Sequence, residues 1–433
     1  MNELAKELNE TLKGSVVYEL LSDYGRRMYF PKGIVAQSAQ AKAKATRYNA
    51  TVGQAFKHGS PLYLEEIYNI FDKDKITPGE IFTYAPGGGL PKLKELWRED
   101  MLEKNPSLKG KSFSMPVVTG GLTQALSIIL RLFLDEDDSV LLPHLFWDNY
   151  DLIIKENVNA SFNTFPLYDE SNQDFNIEGF RQAVQSSTGK KLVVLLNFPN
   201  NPTGYTPTIE EMDQIATILI DAAASNKKVL AICDDAYFGL FYEENTARES
   251  LFAKIADAHE NLFAVKGDGA TKEAMVWGFR VGFITVSTKG FTPEQYTAFN
   301  TKILGSIRSS VSNCSKPSQS LLVKALENKQ SYNAGKEVAR IEMEMRYRLI
   351  KEKLKEKESI DYLKPLAFNS GYFLSFECKG DVEELRLYLL NKYNIGAINI
   401  MNKVFRVAYC SVDTENLADL LDIIYKAAGE LWT

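Results

Sequence analysis

The chain reads as an α/β protein: a large domain with a mostly parallel sheet sandwiched by helices, joined to a smaller α+β domain built from both chain ends. Three observations predict this. From about residue 90, short apolar runs without in/out alternation recur between helical stretches, which is how strands buried on both faces read. After about residue 315 the texture changes to a long charged helix, a strand-rich passage and two closing helices. At 433 residues, the chain is also too long for one hydrophobic core. The expected division is a large domain over 50–315 and a small domain from 1–49 and 316–433.

Taken in order, residues 1–13 and 15–23 have the spacing of short amphipathic helices, and Phe-Pro-Lys-Gly-Ile (30–34) reads as extended. Residues 90–97 are helical in pattern, with Pro91 suited to a first turn. Val117–Thr119 predicts a strand that stops at Gly120-Gly121 before an apolar helix over 122–134. Val140–Leu142, Leu192–Leu196, Val229–Ile232, Leu262–Val265 and 281–287 predict further strands, with a helix over Ile209–Ala224 opened by Thr208. Ala334–Glu356, Val382–Tyr393 and Thr414–Leu431 predict the last helices.

The composition excludes several function classes. A net charge of -6 leaves no basic surplus to neutralise phosphates, so general nucleic-acid binding is disfavoured. The four cysteines lie far apart without a CxxC pair, and the three histidines are scattered, which fits neither a disulfide framework nor a metal site. The first residues carry acids where a signal peptide would be apolar, and the apolar stretch 125–134 is too short to span a bilayer. A cytoplasmic protein is expected.

In an open α/β sheet, ligands bind at the carboxyl ends of strands, so polar groups placed there should converge. Gly120, Gly121, Leu122 and Thr123 lie between a strand and a helix, where free amides and the helix dipole favour an anion. Trp147 reads first as a core aromatic, but its place past a strand end also lets it stack on a planar heterocycle. Asn-Pro-Thr-Gly (201–204) has turn chemistry, yet it opens an apolar strand directly onto several amides. Asp234 ends a buried strand and calls for a cationic or N–H partner, which a protonated pyridine nitrogen would provide; Tyr237 follows three residues on. Lys272 sits on a Gly-rich turn between two buried strands with Arg280 eight residues later, a pattern suited to a covalent cofactor site beside an anion. Arg406, inside an otherwise apolar strand, reads as an anion-binding group or as an edge arginine facing water.

In this order, Asn-Pro-Thr-Gly, Asp-x-x-Tyr, Lys and Arg resemble the pyridoxal-phosphate-dependent aminotransferases of class I, the aspartate-aminotransferase-like group of fold type I. The resemblance extends from about Tyr84 to Arg406 and implies the cofactor pyridoxal 5'-phosphate. By it, Lys272 bonds the cofactor aldehyde and, once freed by substrate, shuttles a proton between the substrate α-carbon and the cofactor. Asp234 pairs with the ring nitrogen, Asn201 and Tyr237 hydrogen-bond the ring hydroxyl, and Trp147 stacks on the ring. Arg280 clamps the phosphate together with Gly121, Leu122 and Thr123, and Arg406 binds the substrate carboxylate. Tyr84 matches a tyrosine that reaches the neighbouring subunit's phosphate, which implies a homodimer with shared sites. Arg308 resembles an arginine, also supplied across the dimer, that reads the side-chain carboxylate of dicarboxylic substrates.

Three positions depart from the family pattern. Gly269 stands where a serine often binds the phosphate, Asp268 beside it should point away from the phosphate, and Tyr150 replaces a histidine that supports the ring-binding aspartate. The expected activity is exchange of an amino group between an α-amino acid and a 2-oxo acid, with aspartate or glutamate favoured and aromatic or neutral amino acids next. C–S lyase or decarboxylase chemistry on the same cofactor is the alternative. A non-catalytic cofactor-binding regulator lacks a flanking basic segment, and a dehydrogenase lacks a GxGxxG motif after any strand.

Overall fold

The computed structural model describes residues 1–31, 33–189 and 191–432. Its main sheet has seven strands: β1 (Val117–Thr119), β2 (Ser139–Pro143), β3 (Ser161–Phe165), β4 (Leu192–Asn197), β5 (Val229–Asp234), β6 (Leu262–Asp268) and β7 (Gly282–Ser287). They lie in the order β1-β7-β6-β5-β4-β2-β3. The five strands from β6 to β3 run parallel, while β7 is antiparallel to both its neighbours.

Every residue of β4, β5 and β7 is buried. Alternate residues serve opposite cores: Val193 and Leu195 pack with Leu126, Ile129 and Ile284, whereas Val194 and Leu196 pack with Met212, Ile215 and Leu219. Burial on both faces is why these strands appear as continuous apolar runs. β3 had no such signal. It is the outer strand, pairing only with β2, and its Ser-Phe-Asn-Thr-Phe sequence is largely exposed.

The second sheet is antiparallel, with β8 (Leu363–Pro365), β9 (Phe373–Cys378), β10 (Ile398–Ile400) and β11 (Val404–Ala408) in the order β8-β9-β11-β10. Helices Val382–Tyr393 and Leu417–Trp432 accompany it. Tyr48 and Asn49 pair with Ile395 and Gly396, which ties the early chain to the late chain. A helix of 27 residues, Lys329–Lys355, starts five residues before the predicted one.

The amino-terminal reading needs correction. The expected helix over 15–23 is two helices, Val16–Leu20 and Asp23–Arg27, because the Ser22 hydroxyl caps the second by accepting from the Gly25 amide. A helix over Ile34–Lys44 starts where the extended stretch was expected to end. Within that stretch, Lys32 lies outside the described residues. No helix among the described residues is long and apolar enough to cross a membrane.

Candidate active site

A cavity of about 250 Å³ opens where β4, β5 and β6 end, beside the start of helix Leu122–Phe133. It gathers Leu122, Thr123, Trp147, Asn201, Asp234, Tyr237, Lys272, Arg280 and Arg406. Chain separations of up to 284 residues thus collapse into one pocket because parallel strands deliver their carboxyl ends to one edge. Register brings Asn197 of β4 directly beside Asp234 of β5.

Asp234 is buried and accepts a hydrogen bond from the Tyr150 hydroxyl, while its other oxygen accepts from the Ala236 amide at 3.1 Å. Burial pushes its carboxyl up to about 6, although the Tyr150 hydrogen bond and Lys272 pull the other way. The Lys272 ammonium lies 4.8 Å from the centre of the Tyr237 ring. Burial lowers its amine to about 8, with Asp234 opposing and Arg280 reinforcing the shift. The cavity is therefore lined by an amine and an acid that influence one another electrostatically, both biased toward their neutral forms.

The part of the cavity wall that carries Arg280 is built on strained backbone. Gly121 adopts φ 91, and a Cβ there would run into the Arg280 guanidinium. Arg280 itself sits in the left-handed region at φ 53, which costs about 1–2 kcal/mol, and donates to the Trp277 carbonyl at 3.2 Å. The first-turn amides of Leu122 and Thr123 have no intrahelical acceptor. Such strain persists only where surrounding structure enforces it.

Arg406 occupies β11 between β9 and β10, so it is no edge residue, and it is 1% exposed. It donates to Asn201 Oδ1 and to the Thr51 carbonyl, both at 2.9 Å, and lies over the Phe373 ring. Its Nε has no hydrogen-bond partner among the described residues. Arg406 nevertheless lines the cavity, so its guanidinium is a buried cationic group at the pocket wall.

The three departures have structural consequences. Tyr150 takes over the support of Asp234, as above. Asp268 turns away from the cavity to Trp97 Nε1 at 3.3 Å and Lys266 at 3.1 Å. At Gly269, a Cβ would stand 2.7 Å from the Val281 carbonyl oxygen and 3.2 Å from Gly282 Cα. Gly269→Ser should therefore lower stability by about 1–3 kcal/mol in thermal or urea unfolding and should not tighten anion binding.

Asn197, Gly53, Thr271, Trp277 and Phe373 also line the cavity and were missed. Asn197 donates to the Asp234 carbonyl at 2.8 Å and accepts from the Asn201 amide at 2.8 Å, joining two strand ends. Its signal, an amide ending an apolar strand, was the same one that exposed Asp234. Tyr84 and Arg308 are not brought to this cavity. Tyr84 is 88% exposed, and Arg308, also exposed, donates to the Ser312 hydroxyl at 2.5 Å.

Residues 67–424 match the family described as aminotransferase class I and II. The chain belongs to the class I and II aminotransferases. This aminotransferase is 28% identical over 325 residues to a probable aspartate/prephenate aminotransferase of Aquifex aeolicus, spanning 73% of this chain and 75% of that protein. It is 28% identical over 207 residues to an aspartate aminotransferase of Bacillus sp. strain YM-2, spanning 46% of this chain and 47%, about half, of that relative. Among solved structures, an aminotransferase from Anaerococcus prevotii superposes with a TM-score of 0.84 at 24% identity, covering 94% of this chain and 99% of that one. An aspartate aminotransferase from Thermus thermophilus, determined with maleate, gives 0.75 at 20% identity with the same coverage. At these identities the structural likeness speaks for the fold, and the family match identifies the aminotransferase as a transaminase.

Proposed function

We propose that the aminotransferase binds pyridoxal 5'-phosphate in this cavity through Lys272 and exchanges an amino group between an α-amino acid and a 2-oxo acid. The observation that carries this reading is the Lys272–Asp234 pair, a neutral-leaning amine and a buried acid across one pocket. The residues fit the cofactor. Among the described residues the Lys272 amine makes no hydrogen bond, the Arg280 guanidinium packs directly against Gly121 at the start of helix Leu122–Phe133, and Arg406 lines the same cavity. When bound, the cofactor supplies a protonated pyridine ring that takes up the electron pair left at the substrate α-carbon.

The chain's own groups then have defined work. Asp234 would keep the ring nitrogen protonated, and Trp147 would stack on the ring. Tyr237 and Asn201 position the ring hydroxyl. Because Asn201 also accepts from Arg406, one side chain registers the cofactor against the arginine that grips the substrate carboxylate. Arg280, Gly121, Leu122 and Thr123 take the phosphate, and Thr271, lining the same side, adds a hydroxyl. Lys272 would be the base that moves the substrate α-proton.

Aspartate or glutamate is the favoured donor, supported by the names of the relatives and by Arg308. Tyr84 and Arg308 lie on the outer surface, which suits supply to a second copy's cavity in a homodimer. The division into 50–315 and the remainder, and a cytoplasmic location, belong to the same proposal. Lyase or decarboxylase chemistry would use the same residues and is separated by its products.

The titration of Lys272 supplies a test. Only the unprotonated amine attacks the cofactor aldehyde, so attachment to apoprotein should quicken with pH and level off above about 8. Stopped-flow absorbance of apoprotein mixed with the cofactor measures this. A rate that climbs steadily to pH 10 would show an ordinary exposed lysine instead.

A further inference from the structure

The residue after Lys272 is a glutamate whose side chain is 13% exposed, and both of its oxygens are engaged. Glu273 Oε2 meets Lys104 Nζ at 2.7 Å and Oε1 meets Lys336 Nζ at 2.9 Å. Burial alone would push this carboxyl up, but the two ammonium groups outweigh burial and hold it below its ordinary range. Lys104 belongs to helix Pro91–Lys104 and also pairs with Asp100. Lys336 belongs to helix Lys329–Lys355. Between these helices lies a cleft of about 340 Å³ that Glu273 helps to line, so here the ion pairs are the connection rather than close apolar packing.

Helix Lys329–Lys355 makes a second connection to the cavity. Ten residues beyond Lys336, or about 15 Å along the helix, Arg346 is fully buried. It donates to the Cys410 carbonyl at 2.6 Å and the Phe56 carbonyl at 2.7 Å. Cys410 lies four residues after Arg406, and Phe56 lies five after Thr51, whose carbonyl holds the Arg406 guanidinium. One rigid element therefore grips the neighbour of the cofactor lysine at one point and the supports of the carboxylate-binding arginine at another. Near the first point, the Tyr372 hydroxyl donates to the Lys272 carbonyl at 3.1 Å and steadies the same backbone.

We propose that Glu273 is a positioning residue for Lys272, and that its ion pair with Lys336 makes helix Lys329–Lys355 the strut that registers the amine against Arg406. The inference rests on the roles given above to Lys272 and Arg406. The carboxylate touches neither cofactor nor substrate; it fixes the direction in which the adjacent side chain leaves the turn. Misplacing a reacting group by about 1 Å can cost a hundredfold in rate, so a pin of this kind acts on the chemical step more than on substrate binding.

The test uses Lys336→Met in the full-length protein, since Glu273 then keeps Lys104 and the fold keeps its partner. Glu273→Gln, of nearly unchanged volume, removes the same pin from the other side. The first readout is the midpoint of the Lys272 amine in apoprotein, followed by NMR of ¹³C-dimethylated lysine. Lys336→Met should raise that midpoint from about 8 by about one unit, as the amine gains solvent. In the loaded enzyme, kcat should fall about tenfold or more while KM stays within about twofold. Lys336→Arg, which can keep the ion pair, should restore both. Variants that lose only thermal stability, with the Lys272 midpoint and kcat unchanged, would overturn the proposal. If Lys272→Ala kept normal exchange, the cofactor reading itself would fall. A dead Lys272→Ala beside a silent Lys336→Met would sink the strut alone.

Discussion

Lys272→Ala protein should be colourless and should exchange amino groups at least about a thousandfold more slowly than the parent. Two losses combine in that variant: the bond that holds the cofactor aldehyde and the base that moves the α-proton, the latter alone typically worth 10²–10⁴-fold. The fold should be nearly untouched. Among the described residues the Lys272 side chain makes no hydrogen bond or ion pair, and its amine rests 4.8 Å from the Tyr237 ring centre. Removing a buried amine that already leans toward neutrality relieves desolvation, so the melting temperature should hold or rise slightly. Parallel measurement of turnover, absorbance and thermal unfolding checks all three expectations. A variant with normal turnover would remove Lys272 from the mechanism.

Asp234→Asn should move activity and stability in opposite directions. Turnover should drop by about two orders of magnitude or more, because an amide cannot hold a proton on the ring nitrogen as a carboxylate does. Stability should respond with a definite sign. The folded carboxyl titrates at about 6, above its ordinary 3.8, chiefly because it is buried. Its favourable contribution is therefore fully present below about pH 3.8 and is lost as the pH rises through about 6. Asp234→Asn apoprotein should match the parent near pH 4 and exceed it by on the order of 2–3 kcal/mol at pH 8. Urea unfolding of the two apoproteins at both pH values reads this difference. The parent thus holds an unfavourable charge at the place where the cofactor needs one, which is how a functional site departs from maximal stability.

Much of the fold was legible because β4, β5 and β7 are buried on both faces and carry no alternation to misread. β3 was not, since an outer strand facing water looks like a loop. The site was legible wherever a polar residue ended an apolar run, as at Asp234, or interrupted one, as at Arg406. Asn197 obeyed the same rule but was overshadowed by the turn that follows it. Tyr84 and Arg308 illustrate a different limit: within one chain neither reaches the cavity, so only the family resemblance points to them. Glu273 was invisible for a physical reason. Its partners stand 169 and 63 residues away, and a glutamate on a turn otherwise reads as solvated. Lys266, in the middle of β6, is similar, because its charge is met by Asp235 from the end of β5 and by Asp268 of its own strand.

The central claim is that Lys272 holds pyridoxal 5'-phosphate for amino-group transfer, and the visible spectrum of the purified protein tests it most directly. The protein should be yellow, should bleach when aspartate or glutamate is added, and should regain its colour on addition of 2-oxoglutarate, with no ammonia released. A colourless protein after supply of the cofactor, or release of pyruvate and ammonia without any added oxo acid, would contradict the account.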